Sequence, residues 1–303
     1  MASHGIMKPM ELRVLRYFAA VAGEESITRA AEILHLSQPT LSRQLKELEE
    51  ELGKTLMIRG SKKTTLTEEG RLLYKRANEI IDLTLKTEIE LRQSDDFSGG
   101  DVWIGGGETD GMRLVARAAQ SLRAEYPAIH VHLISGNWTD IEEKLEKGLI
   151  DFGVAFGSVD SDKYDSFQLP IMHSRGLLMR TDSALASRNF IVPGDLSGIP
   201  VISSRNESAR SGYEQWMGKK FDTLNVVATY NLIYNAAFLV EEGVGYALSI
   251  DRLVNRRPLL CFVPFEPRLE VMVNLAWKKH QVFSKASQKF LERIKEIIEF
   301  KRA

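Results

Sequence analysis

The side chains best suited to chemistry in this sequence lie along one face of a predicted helix. Leucines at 41, 45, 48 and 52 are spaced four, three and four residues apart, which places them on a single helix face. The opposite face and the first turn carry Gln38, Pro39, Ser42, Arg43 and Lys46. Arginine and glutamine side chains read guanine and adenine edges in the major groove of DNA. The pattern therefore predicts a DNA-recognition helix, although an amphipathic helix with a solvated polar face has the same spacing.

A shorter helix precedes the recognition helix and favours the DNA-binding interpretation. Ser26 or Thr28 is expected to cap it, and Ala30 and Ala31 lie on its apolar face, where small side chains allow a second helix to approach closely. Residues 35–37 form a short turn ending at Ser37, which is expected to cap the recognition helix. Together these features predict a helix-turn-helix.

The segment at residues 53–67 carries four basic residues and no acidic one. The basic residues are Lys54, Arg59, Lys62 and Lys63. Apolar residues stand on both sides of a Gly-Ser-Lys-Lys tip, so a small β-hairpin, or wing, with a basic turn is expected. Glutamates at 47, 49, 50 and 51 end the recognition helix, and we expect them to face away from DNA or to weaken nonspecific binding.

The predicted secondary structure changes from helical to alternating strands and helices after residue 93. Residues 68–93 predict one long helix, and the polar, glycine-rich residues 94–100 predict a linker. Strands are then expected at 102–104, 130–134, 152–156, 176–179, 199–203 and 245–250, and helices at 112–126, 139–147, 232–242 and 284–300. This alternation predicts βαβ units with a parallel sheet.

Residues 10–70 resemble the winged helix-turn-helix of LysR-type transcriptional regulators. The resemblance rests on Met10-Glu11-Leu12-Arg13, Tyr17-Phe18, Ser26-Ile27-Thr28-Arg29-Ala30-Ala31, Leu34-His35-Leu36-Ser37-Gln38-Pro39-Thr40-Leu41-Ser42-Arg43-Gln44-Leu45, Leu48-Glu49-Glu50-Glu51-Leu52-Gly53, Leu56-Met57-Ile58-Arg59 and Leu66-Thr67-Glu68-Glu69-Gly70. It implies a mixed fold, in which the winged domain and a linker helix precede an α/β effector-binding region similar to periplasmic binding proteins.

The resemblance also implies domain boundaries. These are an extension at 1–9, the DNA-binding domain at 10–67, a dimerisation helix at 68–93, a hinge at 94–100 and an effector region at 101–303, with subdomain I at about 101–171 and 269–303 and subdomain II at about 172–268. Along the linker helix, a coiled-coil-like seam is expected at Leu73, Ala77, Ile80, Thr84, Thr87 and Leu91. The resemblance further implies a homodimer or homotetramer that binds a near-palindromic site on double-stranded DNA. RNA polymerase is expected as a further partner if the protein is an activator.

The residues expected to contact DNA divide by role. By resemblance, the base edges are met by Gln38, Pro39, Ser42 and Arg43, and the phosphates by Thr28, Ser37, Arg59, Lys62 and Lys63. Lys46 lies on the same outward face.

Three strand-to-helix junctions predict an effector site. Ligands of such sheets lie beyond the carboxyl ends of strands, where this chain has Glu108, Thr109, Asn137, Trp138, Ser203, Ser204 and Arg205. Hydroxyls, amides and helix ends favour an anion, so a small carboxylate is expected. Glu108 departs from this pattern and could instead select an amine-bearing ligand such as an amino acid. In the alternative interpretation, Glu108 caps its own helix and Arg205 is a surface residue.

Other motifs do not support a cofactor or a metal. Residues 105–107 are glycines, but the dinucleotide fingerprint also needs glycine where Asp110 stands. His130 and His132 share a strand face, with no acidic or cysteine partner evident from the sequence. Cys261, in an apolar run, is interpreted as a buried structural thiol. We therefore expect no cofactor, no metal site and no enzyme activity.

Composition limits the remaining possibilities. The 303 residues carry a net charge of −1, so any DNA-binding cations must be concentrated locally. One cysteine excludes an intramolecular disulfide, and no apolar run reaches the about 18 residues that a membrane helix needs. A cytoplasmic protein without membrane contact is expected. The alternative to a regulator is a solute-binding, receptor-like protein, and the segment before residue 94 argues against it.

Overall fold

The computed structural model describes residues 10–60, 63–91, 99–253 and 257–302. The chain divides into two compact units, residues 1–92 and 93–303. Each unit is described separately. None of the described helices combines the length and apolar character needed to cross a membrane.

The first unit contains helices and one small hairpin. Its elements are α1 (Leu12–Glu24), α2 (Ile27–Ile33), α3 (Gln38–Leu52), β1 (Met57–Arg59), β2 (Thr64–Leu66) and α4 (Glu68–Leu91). The hairpin is antiparallel, with Met57 opposite Leu66 and Arg59 opposite Thr64. Ser26 rather than Thr28 caps α2, because its side chain accepts from the backbone N–H of Arg29.

The core of the first unit joins the helix-turn-helix to the start of α4. Phe18 of α1, Leu41 of α3 and Ala77 of α4 are fully buried in one cluster, and Leu73 packs against it. Ala77 was expected to lie on an intersubunit seam, and its full burial within the unit corrects this assignment. Leu73 is partly buried by the same cluster, and its place on a seam stays a prediction. A heptad-like pattern marks a buried helix face but does not identify which neighbour buries it.

The junction between the wing and α4 is tightly packed. Thr67 donates its hydroxyl to the Thr55 carbonyl at 2.8 Å, and its oxygen accepts from the backbone N–H of Gly70 at 2.9 Å. A Cβ atom at Gly70 would stand 2.0 Å from the Leu56 carbonyl oxygen. Only glycine therefore fits at this point without moving the backbone of α4 or of the wing.

The second unit combines nine strands with five helices within its described residues. They are β3 (Gly99–Gly106), α5 (Met112–Glu125), β4 (Ala128–Ser135), α6 (Trp138–Glu146), β5 (Phe152–Phe156), β6 (Tyr164–Arg180), β7 (Pro200–Ser204), α7 (Glu207–Met217), β8 (Asn225–Tyr230), α8 (Ile233–Glu241), β9 (Tyr246–Ile250), β10 (Leu260–Pro264), β11 (Glu270–Lys278) and α9 (Lys285–Arg302). Two 3-10 turns, Pro193–Leu196 and Gly218–Thr223, flank β7 and α7.

The long strand β6 belongs to both halves of the sheet. Its residues 164–174 pair with β11, and its residues 175–180 pair with β9 and β10. We call the half with β3, β4, β5 and β11 lobe I, and the half with β7, β8, β9 and β10 lobe II. Strands β3, β4 and β5 are parallel, as are β7, β8 and β9, but β6, β10 and β11 pair antiparallel. The expected parallel pairing is present within these two sets of strands, and the antiparallel strands make the whole sheet mixed.

Helices cover both lobes around separate apolar cores. In lobe I, Phe152 of β5 and Phe290 of α9 are fully buried together with residues of α5. In lobe II, one cluster forms around Tyr213 of α7 and another around Ala237 of α8. The continuous burial of β5 explains its unbroken apolar sequence, since a strand covered on both faces needs no polar alternation.

Replacing Gly70 with Ala should destabilise the first unit by about 1–3 kcal/mol, because the added methyl group overpacks a backbone contact. Calorimetric unfolding of the full chain measures this loss. Gly194→Ala is the matched control, since a Cβ there meets nothing within 4 Å. Equal melting of both variants would contradict the packing argument.

Candidate functional site

Ser37 caps the first turn of α3 and fixes the point at which the outward face of this helix begins. The Ser37 hydroxyl oxygen accepts from the backbone N–H of Thr40 at 3.3 Å and lies 2.8 Å from the Thr40 hydroxyl. Pro39 stands in the first turn, where its missing N–H removes no helical bond. Leu41, Leu45 and Leu48 are buried. The opposite side leaves Gln38, Pro39, Arg43 and Lys46 exposed and Ser42 half-buried.

The cations of α3 are held only loosely by neighbouring glutamates. Arg43 Nε lies 3.7 Å from Glu47 Oε1, and Lys46 Nζ lies 3.4 Å from Glu50 Oε1. All four side chains are more than half exposed. Exposed pairs of this kind contribute little to stability, so a phosphate or a base edge can replace the glutamates at low cost.

The remaining residues expected at DNA lie around the wing and α2. Thr28 is exposed on α2, and Lys63 Nζ pairs with Glu25 Oε2 at 3.0 Å. Gly60 N–H donates to the Lys63 carbonyl and closes the hairpin turn. Lys62 and the side chain of Arg59 lie outside the described residues. The structure thus places the outward face of α3 and Lys63 of the wing in one unit, and their DNA contacts remain predictions.

Glu49 differs from its neighbouring glutamates. Its Oε1 accepts from the backbone N–H groups of Leu56 at 2.7 Å and Met57 at 3.0 Å. The expectation that the four glutamates face away from DNA or weaken nonspecific binding stays a prediction. Glu49 fixes the chain where it enters the wing.

The second unit contains a cleft that draws on both lobes. It has about 690 Å³ of empty space, part of it open to solvent. Its lining residues are Gly107, Glu108, Gly136, Asn137, Trp138, Val154, Phe156, Arg175, Ser204, Asn206, Ala209, Tyr213, Tyr230, Asn231, Leu232, Ile233, Ser249, Ile250, Leu253 and Val271. Glu108 and Arg175 are the charged members of this described set. The walls are otherwise apolar, aromatic or neutral, as is usual for small-molecule sites.

Arg175 supplies a buried cation at the point where β6 passes between the lobes. The residue is 6% exposed, and its Nη1 donates to the Ala209 carbonyl at 2.6 Å. Its guanidinium lies 5.0 Å from the centre of the Tyr213 ring. A Cβ at Gly212 would stand 2.5 Å from Nη1, so this glycine of α7 leaves room for the guanidinium.

Glu108 links lobe I to the start of a lobe II helix. Its Oε2 accepts from the backbone N–H of Tyr234 at 3.2 Å, in the first turn of α8. The first N–H groups of a helix have no intrahelical partner, and they attract negative charge. Glu108, a residue of lobe I, therefore contacts the N-terminal end of α8, a helix of lobe II.

Two cleft phenols remain protonated at neutral pH. Burial raises the pKa of Tyr213 to about 12. Burial also raises the pKa of Tyr230 well above its ordinary value, Glu108 raises it further, and Arg175 opposes the increase. The Tyr230 hydroxyl donates to the Leu248 carbonyl at 2.6 Å. The two tyrosines consequently contribute neutral hydrogen-bonding groups rather than charges.

A buried hydrogen-bond chain crosses between the lobes behind the cleft. His173 on β6 is 0% exposed, with Nε2 2.9 Å from Thr109 Oγ1 and Nδ1 2.7 Å from Asp251 Oδ1. Thr109 Oγ1 also accepts from the backbone N–H of Gly111. The connectivity is that of a Ser-His-Asp triad, but Thr109 is buried and is not among the cleft-lining residues. The Thr109–His173–Asp251 hydrogen bonds therefore join structural elements and do not present a nucleophile to the cleft.

The sequence-predicted effector residues divide into two groups. Glu108, Asn137, Trp138 and Ser204 line the cleft, and Asn137 also caps α6 through the N–H of Asp140. Thr109, Ser203 and Arg205 are not part of the lining that the described residues form. Thr109 bonds His173, Ser203 is buried, and Arg205 is exposed with its backbone N–H donating to the Tyr230 carbonyl.

Sequence reasoning missed Arg175 and the tyrosines of lobe II. Arg175 directly precedes the apolar run at 176–179, and a charged residue beside a buried strand is costly without a role or a partner. This signal was present in the sequence. The contribution of Tyr213 and Tyr230 depends on the packing of α7 and β8, which no local pattern reveals.

The histidine pair on β4 also needs a correction. His132 Nε2 lies 2.8 Å from Asp101 Oδ1, and His130 Nδ1 lies 3.9 Å from the same oxygen. An acidic partner, Asp101, therefore exists on the neighbouring strand β3, and no local pattern indicated this pairing. His132 also stacks on Trp103, with ring centres 4.0 Å apart. Among the described residues, no group of three or more His, Cys, Asp or Glu side chains is arranged to hold a metal ion.

Both units match known protein families. Residues 12–71 match the family described as "Bacterial regulatory helix-turn-helix protein, lysR family". Residues 98–298 match the family described as "LysR substrate binding domain". The two matches cover nearly the whole described chain.

Similar individual proteins span the same length. The chain is 30% identical over 291 residues to the HTH-type transcriptional regulator BsdA of Bacillus subtilis (strain 168), covering 93% of this chain and 99% of that protein. It is 29% identical over 291 residues to the Hca operon transcriptional activator HcaR of Escherichia coli (strain K12), covering 90% and 93%.

Solved structures share the fold at lower identity. The crystal structure of CbnR, a LysR family transcriptional regulator, superposes with a TM-score of 0.73 at 19% identity, covering 95% of this chain and 99% of that one. Full-length CbnR in complex with its target DNA gives a TM-score of 0.72 at 19% identity, with the same coverage.

Replacing Glu49 with Ala should destabilise the first unit by about 1–3 kcal/mol, because two backbone N–H groups lose their acceptor. Glu50→Ala is the matched control, since Glu50 is exposed and pairs with Lys46 on the helix surface. Chemical unfolding of the full chain compares the two. Equal midpoints and slopes for the two variants would show that Glu49 does not hold the wing.

Proposed function

The chain belongs to the LysR family of DNA-binding transcriptional regulators, and we propose that α3 and the wing read a promoter site while the cleft between the lobes binds a small-molecule effector. The observation that carries the first part is the α3 face, on which Arg43 and Lys46 are exposed and only loosely paired. The cleft with its buried Arg175 supports the second part.

On DNA, the roles divide between sequence reading and phosphate contact. Gln38, Pro39, Ser42 and Arg43 contact base edges in the major groove, with Lys46 on the same face, and Thr28, Ser37, Arg59, Lys62 and Lys63 contact phosphates. The Ser37 oxygen accepts from the Thr40 N–H and caps α3, and the same hydroxyl can donate its proton to a phosphate oxygen. The helix end beneath it favours the same anion.

Assembly is proposed to occur through α4. Beyond the part that packs in the first unit, α4 exposes Ile80, Leu83, Leu85 and Leu91, and Leu72 is exposed beside the packed part. Apolar side chains on one long helix are suited to pairing with a second copy. A homodimer of this kind places two recognition helices on a near-palindromic site, and a pair of dimers forms a tetramer that bends the promoter. RNA polymerase is a further partner if the regulator activates transcription.

The effector is proposed to be a small carboxylate or an amino acid. Arg175, rather than the exposed Arg205, supplies the cation for its carboxylate, because Arg175 lines the cleft and is shielded from solvent. Binding changes the angle between the lobes and shifts the population of DNA-binding geometries.

Arg43→Ala should weaken operator binding by about 1–3 kcal/mol and relax sequence preference, since a base contact is lost. Lys63→Ala should instead weaken operator and random DNA alike and lower the salt slope by about one. Fluorescence anisotropy over a salt series measures both, with an operator taken from a genome-wide binding map. If Arg43→Ala binds both DNAs as the parent does, the recognition-face assignment is wrong.

Ile80→Asp should abolish the dimer and, with it, tight operator binding, because a charge is placed in an apolar interface without a partner. Light scattering at micromolar concentration measures the assembly state. Asp82→Lys, on the same helix, is the control for a charge change and should remain dimeric. A monomeric parent, or a dimeric Ile80→Asp variant, would exclude α4 as the pairing element.

A further inference from the structure

Among the described residues that line the cleft, Arg175 is the cation and Glu108 is the anion, and Tyr230 lies in the same lining. Both charged residues act on the pKa of Tyr230, in opposite directions and in addition to the main effect of burial. Resting on the proposed effector function, we propose that the ligand is a zwitterion of the amino-acid type. Its carboxylate is bound on the Arg175 side and its ammonium on the Glu108 side.

The cationic side of the cleft is preformed. The Arg175 guanidinium is fixed by the Ala209 carbonyl and by the Tyr213 ring, with Gly212 leaving the space it occupies. A guanidinium carries several N–H donors in a rigid plane that matches a carboxylate. Because Arg175 is 6% exposed, water screens this interaction only weakly.

The anionic side disfavours a simple carboxylate ligand. The Glu108 carboxylate is half-buried and is held by the Tyr234 N–H at the start of α8. An anion entering the same cleft meets this negative charge as well as Arg175. A ligand that also carries an ammonium converts the repulsion into a charge-assisted hydrogen bond with Glu108.

The position of Glu108 is fixed by the residue that follows it. Thr109 is tied to the Gly111 N–H and to His173, which is in turn tied to Asp251 of lobe II. The backbone that carries Glu108 is therefore anchored to both lobes. This anchoring supports Glu108 as a preorganised ligand contact rather than a freely moving surface carboxylate.

The walls favour a ligand with an apolar side chain. Trp138 and Phe156 line the cleft from lobe I, and Tyr213, Ile233 and Leu253 line it from lobe II. The cleft is partly open to solvent, and its lining is mainly apolar and aromatic with a few polar groups, as in small-molecule sites. An amino acid with an aliphatic or aromatic side chain matches both the walls and the two charges.

The test uses matched sets of three probes with the full-length protein. Each set contains an amino acid, its deaminated acid and its decarboxylated amine, for example phenylalanine, 3-phenylpropanoate and 2-phenylethylamine, and the sets cover all apolar and aromatic amino acids. Thermal shift screening is followed by calorimetric titration. At least one amino acid should bind with a Kd roughly tenfold or more below those of its acid and its amine.

Variants test the role assigned to Glu108. Glu108→Gln should bring the Kd values of the amino acid and its deaminated acid close together, because the acid no longer meets a negative charge and the ammonium no longer finds one. Asp110→Asn is the matched control, since Asp110 pairs with Arg113 at 3.1 Å and is not among the described residues that line the cleft. It should keep the selectivity of the parent.

Several results would overturn the zwitterion proposal. These are an acid or an amine binding as tightly as its amino acid, unchanged selectivity in Glu108→Gln, and no response to any probe. The Kd values of the amino acid, its acid and its amine for the parent protein test the zwitterion proposal even if a variant does not fold. Operator binding by the ligand-free protein is measured in parallel, so that loss of DNA recognition, which would contradict the regulator, is distinguished from a wrong ligand class.

Discussion

The position of Glu108 at the cleft of the second unit depends on one buried contact, the imidazole of His173. It stands on β6, bonds Thr109 of lobe I on one side and Asp251 of lobe II on the other, and is inaccessible to solvent. A buried ring of this kind is stable only when both nitrogens have partners. The requirement fixes Thr109, and with it Glu108, at the mouth of the cleft. Arg175, two residues along β6, is placed by the same strand.

The DNA-binding unit depends on a different kind of constraint, which is close backbone approach. Gly70 leaves space for the Leu56 carbonyl, and Glu49 accepts from the two N–H groups that open the wing. These contacts fix the hairpin relative to α3 and α4 without using the exposed cations. The recognition face and the contacts that hold its frame are therefore separate sets of residues.

The parts of the fold that were predicted correctly are those determined by nearby residues. The caps at Ser26 and Ser37, the leucine face of α3 and the hairpin of the wing all follow from spacings of a few residues. Strand β6 was recognised only in part, because its partner β11 lies about a hundred residues later and the pairing is antiparallel. The strand ends at Glu108, Asn137 and Ser204, where an effector site was expected, line a cleft, but its cation is Arg175 and not Arg205. Which of two arginines is buried depends on how the lobes close around β6, and local sequence does not contain that information.

Strand β6 has a mechanical consequence for the movement of the lobes. It runs unbroken from residue 164 to residue 180 and forms ladder hydrogen bonds in both sheet halves. Its pairing partner changes between Ser174, which lies opposite Glu270 of β11, and Arg175, which lies opposite Ile250 of β9. Sliding or separation of the lobes along this strand would therefore break ladder hydrogen bonds in at least one half of the sheet. A rotation of one lobe against the other has to bend β6 at this junction, and Arg175, the buried cation of the cleft, is the residue that such a bend displaces first.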